Sequence, residues 1–160
     1  MADSELVHVV FPLDVDEEGW PPVSGERLWA QRIGDDIYRV ENTPWFVRNL
    51  AAGDVVRAVP LDDGSWPTFV ERIQWAGNYT IRVIPFRAGA LEGSLQAVLD
   101  LLTPHGADGE GAGQYGIVAL NVPPTADVAA VHALLFQGHA QGWWDIEEGC
   151  VDDAWLSLPI

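Results

Sequence analysis

The most suggestive chemical pattern in this chain is an acidic segment with the first half of a calcium-loop pattern. Three acids alternate just before Gly19: Asp14, Asp16 and Glu18. An EF-hand loop uses alternating oxygen ligands of this kind and completes the site with a bidentate acid at its twelfth position. That position is Gly25 here, and Pro21-Pro22 stiffen the chain before it. We therefore predict a solvated acidic loop and no metal site.

The histidines and the single cysteine lack the spacing of a zinc or nucleophile site. His132 and His139 share one face of a predicted helix, but two helical turns separate them by about 10 Å, which is too far for one zinc ion. We expect both histidines at the helix edge. Cys150 has no Cys-x-x-Cys companion, and the preceding Glu147-Glu148 would disfavour its thiolate. We expect Cys150 to act as a small buried hydrophobic residue.

The remaining acidic and glycine-rich segments do not form a catalytic pattern. Asp62-Asp63 and Asp152-Asp153 are adjacent pairs, and neighbours on a strand point to opposite faces. Residues 109–113 are rich in glycine but lack the spacing, the lysine and the following helix of a phosphate loop. The sequence therefore predicts a protein that is not an enzyme and binds no cofactor.

Charge is distributed unevenly along the 160 residues. The chain has no lysine, its eight arginines all lie within residues 27–87, and its formal net charge is −16. Residues 1–26 and 88–160 carry acids and no arginine or lysine. Such a field repels nucleic-acid backbones and anionic lipids and attracts cationic partners. The charge pattern thus predicts no nucleic-acid partner and no membrane partner, and favours a basic protein.

Eight tryptophans are the second unusual feature of the composition. Trp20 precedes Pro21-Pro22 and Trp45 follows Pro44, and an exposed aromatic side chain in a turn often serves recognition. Aromatic rings beside carboxylates suit the arginines or lysines of a partner. Packing of these tryptophans into the core is the open alternative. The predicted partner-binding set is Asp14, Asp16, Glu17, Glu18, Trp20 and Trp45.

The clustered arginines allow a different kind of site. An aromatic-lined pocket between the two halves of the chain, with arginines holding an anionic ligand, would suit a small molecule. The alternative role for these arginines is to neutralise local acids on strand faces. The arginines assigned to this second hypothesis are Arg39, Arg48 and Arg82.

The first half of the chain has the pattern of short strands joined by tight turns. Turn residues such as Gly34-Asp35-Asp36 and Asp62-Asp63-Gly64 separate the apolar runs. Regularly spaced short strands predict a small antiparallel barrel or strongly curled sheet over residues 1–78. The runs are residues 6–11, 28–33, 37–40, 55–59 and 68–75.

From Tyr79 onward the pattern changes. Five apolar residues recur with the period of a helix that ends at Pro104: Leu91, Leu95, Val98, Leu99 and Leu102. A second helix is predicted after Pro123-Pro124-Thr125 and runs to about Gln141. Strands are predicted at 79–86, 115–122 and 143–151, with a possible edge strand in 107–113. This order predicts a ferredoxin-like βαββαβ subdomain over residues 79–160, and an α+β fold class overall.

Several segments, taken together in order, resemble a bacterial family known as domain of unknown function 4265. The resemblance covers nearly the whole chain and implies a bacterial soluble protein of one-domain length. It brings no established activity, so no residue takes a role from it. The segments are residues 11–22, 38–46, 50–56, 122–124 and 144–150.

The sequence supports one leading hypothesis and one alternative. The leading hypothesis is an acidic, cytoplasmic, non-catalytic protein that neutralises a basic protein partner, as an immunity protein or an inhibitor does. The cytoplasm is expected because a single Cys150 forms no internal disulfide and the N-terminus lacks the pattern of a signal peptide. The alternative is a small-molecule-binding or regulatory accessory module. The oligomeric state stays open.

Overall fold

The computed structural model describes residues 5–160, and the chain forms two compact units that divide after Ala76. Each unit has its own sheet, with five strands in the first and four in the second. Helices occur in the second unit, so the protein is a mixed α+β protein. Among the described residues, no helix is long and apolar enough to cross a membrane.

The first unit is a closed five-stranded barrel in chain order. Its strands are β1 (Leu6–Pro12), β2 (Gly25–Gly34), β3 (Ile37–Val40), β4 (Val55–Pro60) and β5 (Pro67–Gln74). Successive strands are antiparallel, but β1 and β5 pair in parallel, with Val10 opposite Thr68. The prediction of an antiparallel barrel therefore misses the closing pair. When an odd number of alternating strands closes, the first and the last necessarily run in the same direction.

The alternation of side chains along each strand determines which residues face the interior of the barrel. On β1, Val9 and Phe11 point inward, and on β2 the inward positions fall at Glu26, Leu28 and Ala30. Tyr38, Val40, Val56 and Ala58 complete the core from β3 and β4. The loop between β3 and β4, residues 41–54, adds Val47 and Leu50 to this core. An acidic residue thus occupies an inward position in an otherwise apolar strand.

The second unit is a four-stranded antiparallel sheet with three helices. Its strand order is β7-β8-β6-β9. The elements are β6 (Tyr79–Pro85), α1 (Leu95–Leu102), β7 (Asp108–Ala112), β8 (Ile117–Val122), α2 (Val128–Ala140), β9 (Trp144–Cys150) and α3 (Asp153–Leu156). A 3-10 turn at Thr103–His105 follows α1.

Helix α1 begins four residues later than the apolar period predicts. Ser94 caps it, and its side chain accepts a hydrogen bond from the Ala97 amide at 3.1 Å. Glu92 and Gly93 before the cap have φ values of 52° and 73°, which a helix does not accept. Leu91 therefore lies outside the helix, which buries Val98 and Leu102 completely.

Helix α2 packs closely against β9. A Cβ atom at Gly138 would lie 2.4 Å from the Trp144 indole, so only glycine allows this approach. The Trp144 indole N–H donates to the Leu135 carbonyl at 2.9 Å. On the same helix His132 is only 2% exposed, which corrects the expectation that it sits at the helix edge. Cys150 is buried, as expected.

Candidate functional site

A cavity of about 330 Å³ lies in the first unit, where the end of β1 meets β5 and two loops. Its apolar wall includes Phe11 and Phe69, whose ring centroids are 4.9 Å apart. Its two charged lining residues, Asp14 and Arg48, are both exposed. The remaining lining residues are Pro12, Leu13, Pro21, Phe46 and Val47. This arrangement suits an apolar group that carries charge at its solvent end.

The acidic loop that supplies Asp14 is a turn held by its own side chain. One carboxylate oxygen of Asp16, Oδ1, accepts hydrogen bonds from the amides of Glu18 and Trp20, each at 2.9 Å. The Asp16 amide donates to the Trp20 carbonyl at 2.8 Å. The Asp16 carboxylate therefore binds within the loop, although Asp16 is exposed, as are Glu17 and Glu18.

The two tryptophans of the predicted binding set take different positions. Trp20 is half-buried and meets Phe46 edge-on, with ring centroids 5.6 Å apart, so it packs against a ring that lines the cavity. Trp45 is also half-buried, and its amide donates to a carboxylate oxygen of Glu26 at 2.6 Å. Neither indole is among the residues that line the cavity.

The wall segment 45–47 is bound to Glu26 on β2. Its Oε1 accepts from the amides of Phe46 at 2.9 Å and Val47 at 3.1 Å, in addition to the bond from Trp45 to Oε2. Glu26 is 7% exposed. A buried carboxylate is stable in a protein when such donors replace its water.

The far end of the same loop is bound to a second buried carboxylate. Asp54 accepts from the amide of Ala51 through Oδ2 and from the amide of Ala76 through Oδ1, each at 2.9 Å. Arg72 lies 3.5 Å from Oδ2. Burial raises the pKa of the Asp54 carboxyl, while the backbone donors and Arg72 act in the opposite direction.

Of the three arginines assigned to a ligand site, Arg48 lines the cavity. Arg39 is exposed on β3, where it hydrogen-bonds to Gln31 and lies 3.8 Å from Glu41. Arg82 on β6 is fully buried, 3.7 Å from Glu147, and is therefore not exposed to a ligand. All residues that line this cavity belong to the first unit, whereas the sequence-level hypothesis placed a pocket between the two halves.

A family model described as Domain of unknown function (DUF4265) matches residues 26–146. The chain belongs to this family. The resemblance inferred from the sequence is thereby confirmed. The DUF4265 match begins at Glu26 and contains the loop 41–54, whereas the acidic loop precedes it.

One solved structure is similar over almost the full length of this DUF4265 chain. It is described as a novel crystal structure of a hypothetical protein from Neisseria gonorrhoeae. The TM-score is 0.70 at 20% sequence identity, and the similarity covers 94% of this chain and 96% of that one. At this identity the likeness shows the fold alone. No curated protein matches the chain.

Sequence reasoning missed the three phenylalanines that line the cavity of this DUF4265 protein, Phe11, Phe46 and Phe69, and it missed Glu26, which binds the backbone behind Phe46 and Val47. Phe11 and Phe69 gave no signal, because an aromatic residue in a predicted strand is ordinarily core, whereas Phe46 shares the turn context of Pro44 and Trp45. Glu26 did give a signal, since it continues the inward alternation of Leu28 and Ala30. Within residues 5–160, no group of three or more His, Cys, Asp or Glu side chains is arranged so that it could hold a metal ion.

Proposed function

We propose that this protein is a non-catalytic binding module whose first unit captures a cationic segment of a basic protein partner, in the manner of an immunity protein or an inhibitor. The observation that carries the proposal is the placement of Asp14, from the acidic loop, on the wall of an aromatic cavity. The cytoplasm is the proposed compartment, because Cys150 has no second cysteine with which to form a disulfide.

Charge and cavity contribute to different steps of binding. The net charge of −16 and the exposed Glu17 and Glu18 attract a basic partner over a distance and raise the rate of encounter. The dissociation rate is set by side chains that are buried and desolvated in the complex, and long-range charge provides no such contact. The cavity supplies the anchor, since its aromatic wall accepts one apolar or aromatic side chain of the partner while Asp14 meets a neighbouring cation.

A small molecule is the second candidate ligand. The volume of about 330 Å³ is within the range of ligand sites, roughly 300–1,000 Å³. The lining includes one guanidinium, that of Arg48, and one carboxylate, that of Asp14. A compact aromatic compound with an anionic group would pair with Arg48 and pack on the phenylalanine rings. Such a ligand would make the protein a small-molecule-binding or regulatory accessory module.

We also propose that the second unit is a ferredoxin-like subdomain. The order strand, helix, strand, strand, helix, strand and the sheet order β7-β8-β6-β9, antiparallel throughout, support this assignment.

A pair of short peptides tests the leading proposal. Fluorescein-labelled Arg-Arg-Phe-Arg-Arg and Arg-Arg-Gly-Arg-Arg carry the same charge, and only the first has an aromatic anchor. We expect fluorescence anisotropy to show binding of the first peptide, and at least about tenfold weaker binding of the second, because a buried aromatic anchor is worth about 2 kcal/mol or more. Equal affinity for the two peptides, or no binding of either, would contradict the proposal.

A matched pair of double variants tests the acidic loop. Glu17→Gln with Glu18→Gln removes two exposed charges from the acidic loop that supplies Asp14, whereas Asp62→Asn with Asp63→Asn removes two exposed charges from the turn before β5. We expect the first pair to slow association and flatten its salt dependence, and the second to have a smaller effect. If phenylacetate raises Tm while neither peptide binds, the small-molecule candidate replaces the leading one.

A further inference from the structure

Three consecutive backbone amides in the loop 41–54 point at one carboxylate. The amides of Trp45, Phe46 and Val47 donate to Glu26 at 2.6, 2.9 and 3.1 Å, and Glu26 is 19 to 21 residues distant in sequence. Oε1 accepts two of these bonds and Oε2 accepts one. Successive N–H groups that converge in this way form a concave site for an anion.

Two of the three amides that bind Glu26 belong to residues that line the cavity, and the third belongs to their neighbour Trp45. Phe46 and Val47 line the cavity with their side chains, and the next residue, Arg48, is one of its two charged groups. Glu26 itself is not among the lining residues. Its carboxylate therefore acts on the cavity through the backbone, fixing where three consecutive residues point.

The chemistry of the contact favours a carboxylate over other side chains at this position. A carboxylate only accepts hydrogen bonds and has about four lone-pair sites, so it satisfies three N–H donors without presenting a donor of its own. An amide in the same place would direct an NH2 group at one of those donors. Hydrogen bonds to a charged acceptor are also shorter and about twice as strong as neutral ones.

We propose that the amides of residues 45–47 form a carboxylate-binding nest, that Glu26 is its internal ligand, and that occupancy of the nest positions the cavity wall. Glu26 is a positioning residue in this scheme. Its effect on partner binding rests on the proposed function, whereas the nest itself does not. An external carboxylate of similar size, such as acetate or propionate, is the chemical class that fits the nest once the glutamate side chain is removed.

Chemical rescue tests the nest directly. In Glu26→Ala we expect the three amide protons to shift upfield in NMR spectra and to exchange with solvent at least about tenfold faster, because their acceptor is gone. Added acetate or propionate should reverse both changes and raise Tm in this variant. The wild type and Glu71→Gln, which removes an exposed carboxylate of β5 paired with Arg57, should not respond. Unchanged amides in Glu26→Ala, or absence of rescue in the folded variant, would overturn the nest.

Glu26→Gln keeps the proposal testable if Glu26→Ala does not fold. This isosteric variant should speed exchange of the same amides and weaken binding of Arg-Arg-Phe-Arg-Arg by at least about tenfold, with a smaller loss for Glu71→Gln. Amide protection equal to the wild type would refute the nest whatever the peptide does. Failure of the peptide to bind the wild type refutes the proposed function and leaves the exchange result to decide on the nest.

Discussion

The two units use their buried polar groups in different ways. In the first unit, the carboxylates of Glu26 and Asp54 bind the backbone amides of one loop. In the second unit, buried polar groups meet other side chains around Trp155, which is fully buried on the short helix α3. The first arrangement fixes the path of a loop, and the second fixes a C-terminal segment.

The Trp155 cluster joins three elements of the second unit. The indole N–H donates to Glu148 on β9 at 2.5 Å, and the ring packs on Tyr79 of β6 and His132 of α2 at centroid distances of 5.0 and 4.8 Å. The Tyr79 hydroxyl donates to Asp152 at 2.8 Å. Burial, together with Asp152, raises the pKa of Tyr79 to about 12.

The difference has a consequence for where a ligand can bind. Carboxylates that bind backbone amides do not occupy the side chains of the loop. The side chains of Phe46, Val47 and Arg48 therefore remain available to line a cavity. Aromatic side chains that pack on one another fill the space between them. We therefore expect a ligand to bind in the first unit, where carboxylates hold the backbone of the loop. We expect the second unit to be rigid around Trp155, where the aromatic rings pack on one another.

The largest expected effect is the loss of Trp155. Trp155→Ala removes a fully buried ring and leaves Glu148 without its indole donor, which should lower the free energy of unfolding by about 3–5 kcal/mol. Urea denaturation measures this. Leu156→Ala, on the same helix but 61% exposed, is the control and should change it by less than about 0.5 kcal/mol. Similar losses in the two variants would show that α3 is not anchored by the ring.

A smaller loss is expected from Asp54 in the first unit. Asp54→Ala leaves the amides of Ala51 and Ala76 without their acceptor, at a cost of about 2–3 kcal/mol in the free energy of unfolding. Asp35→Ala removes a fully exposed carboxylate from the same unit and is expected to cost less than about 0.5 kcal/mol. If denaturation midpoints of the two variants coincide, the carboxylate anchor has no energetic role.

The pH dependence of stability should report on His132. Burial lowers the pKa of His132 below its ordinary 6.5, and nearby Glu148 opposes this shift. Below pH 6.5 the unfolded chain therefore binds the proton more readily than the folded one, so the contribution of neutral His132 is present above pH 6.5 and is lost as pH falls.

Urea midpoints at about pH 7.5 and about pH 5.5 measure this dependence. We expect the wild type to lose more stability on acidification than His132→Leu does. The assignment to His132 would be wrong if the leucine variant kept the full dependence.

The smallest expected effect concerns the acidic loop. Asp16→Ala removes the acceptor for the amides of Glu18 and Trp20, a loss comparable to that of a helix cap, about 0.5–1 kcal/mol. Asp14→Ala removes a lining carboxylate that makes no such bonds to residues 5–160, so it should weaken binding of the Arg-Arg-Phe-Arg-Arg peptide and leave the urea midpoint unchanged. A midpoint that is equally low in both variants would contradict the assignment of Asp16 to the turn.

The sequence was sufficient where a signal is local. Short apolar runs bounded by turn residues marked the strands from β1 to β6, and Pro123-Pro124-Thr125 marked the start of α2. Helix α1 was found but begun too early, because Leu91 fits the period while Ser94 and the φ values of Glu92 and Gly93 decide the start. Helix α3 was missed, since one turn is too short to show a period.

The composition and local order of the chain thus determined the net charge, the acidic loop, the mixed α+β class and the family. Tertiary structure alone decided the parallel closure of the barrel, the burial of Arg82 and His132, and the cavity. The physical reason lies in distance along the chain. Turns and periods act between neighbours, whereas the cavity joins residues 11–14, 21, 46–48 and 69, and its wall is bound to Glu26 about twenty residues away.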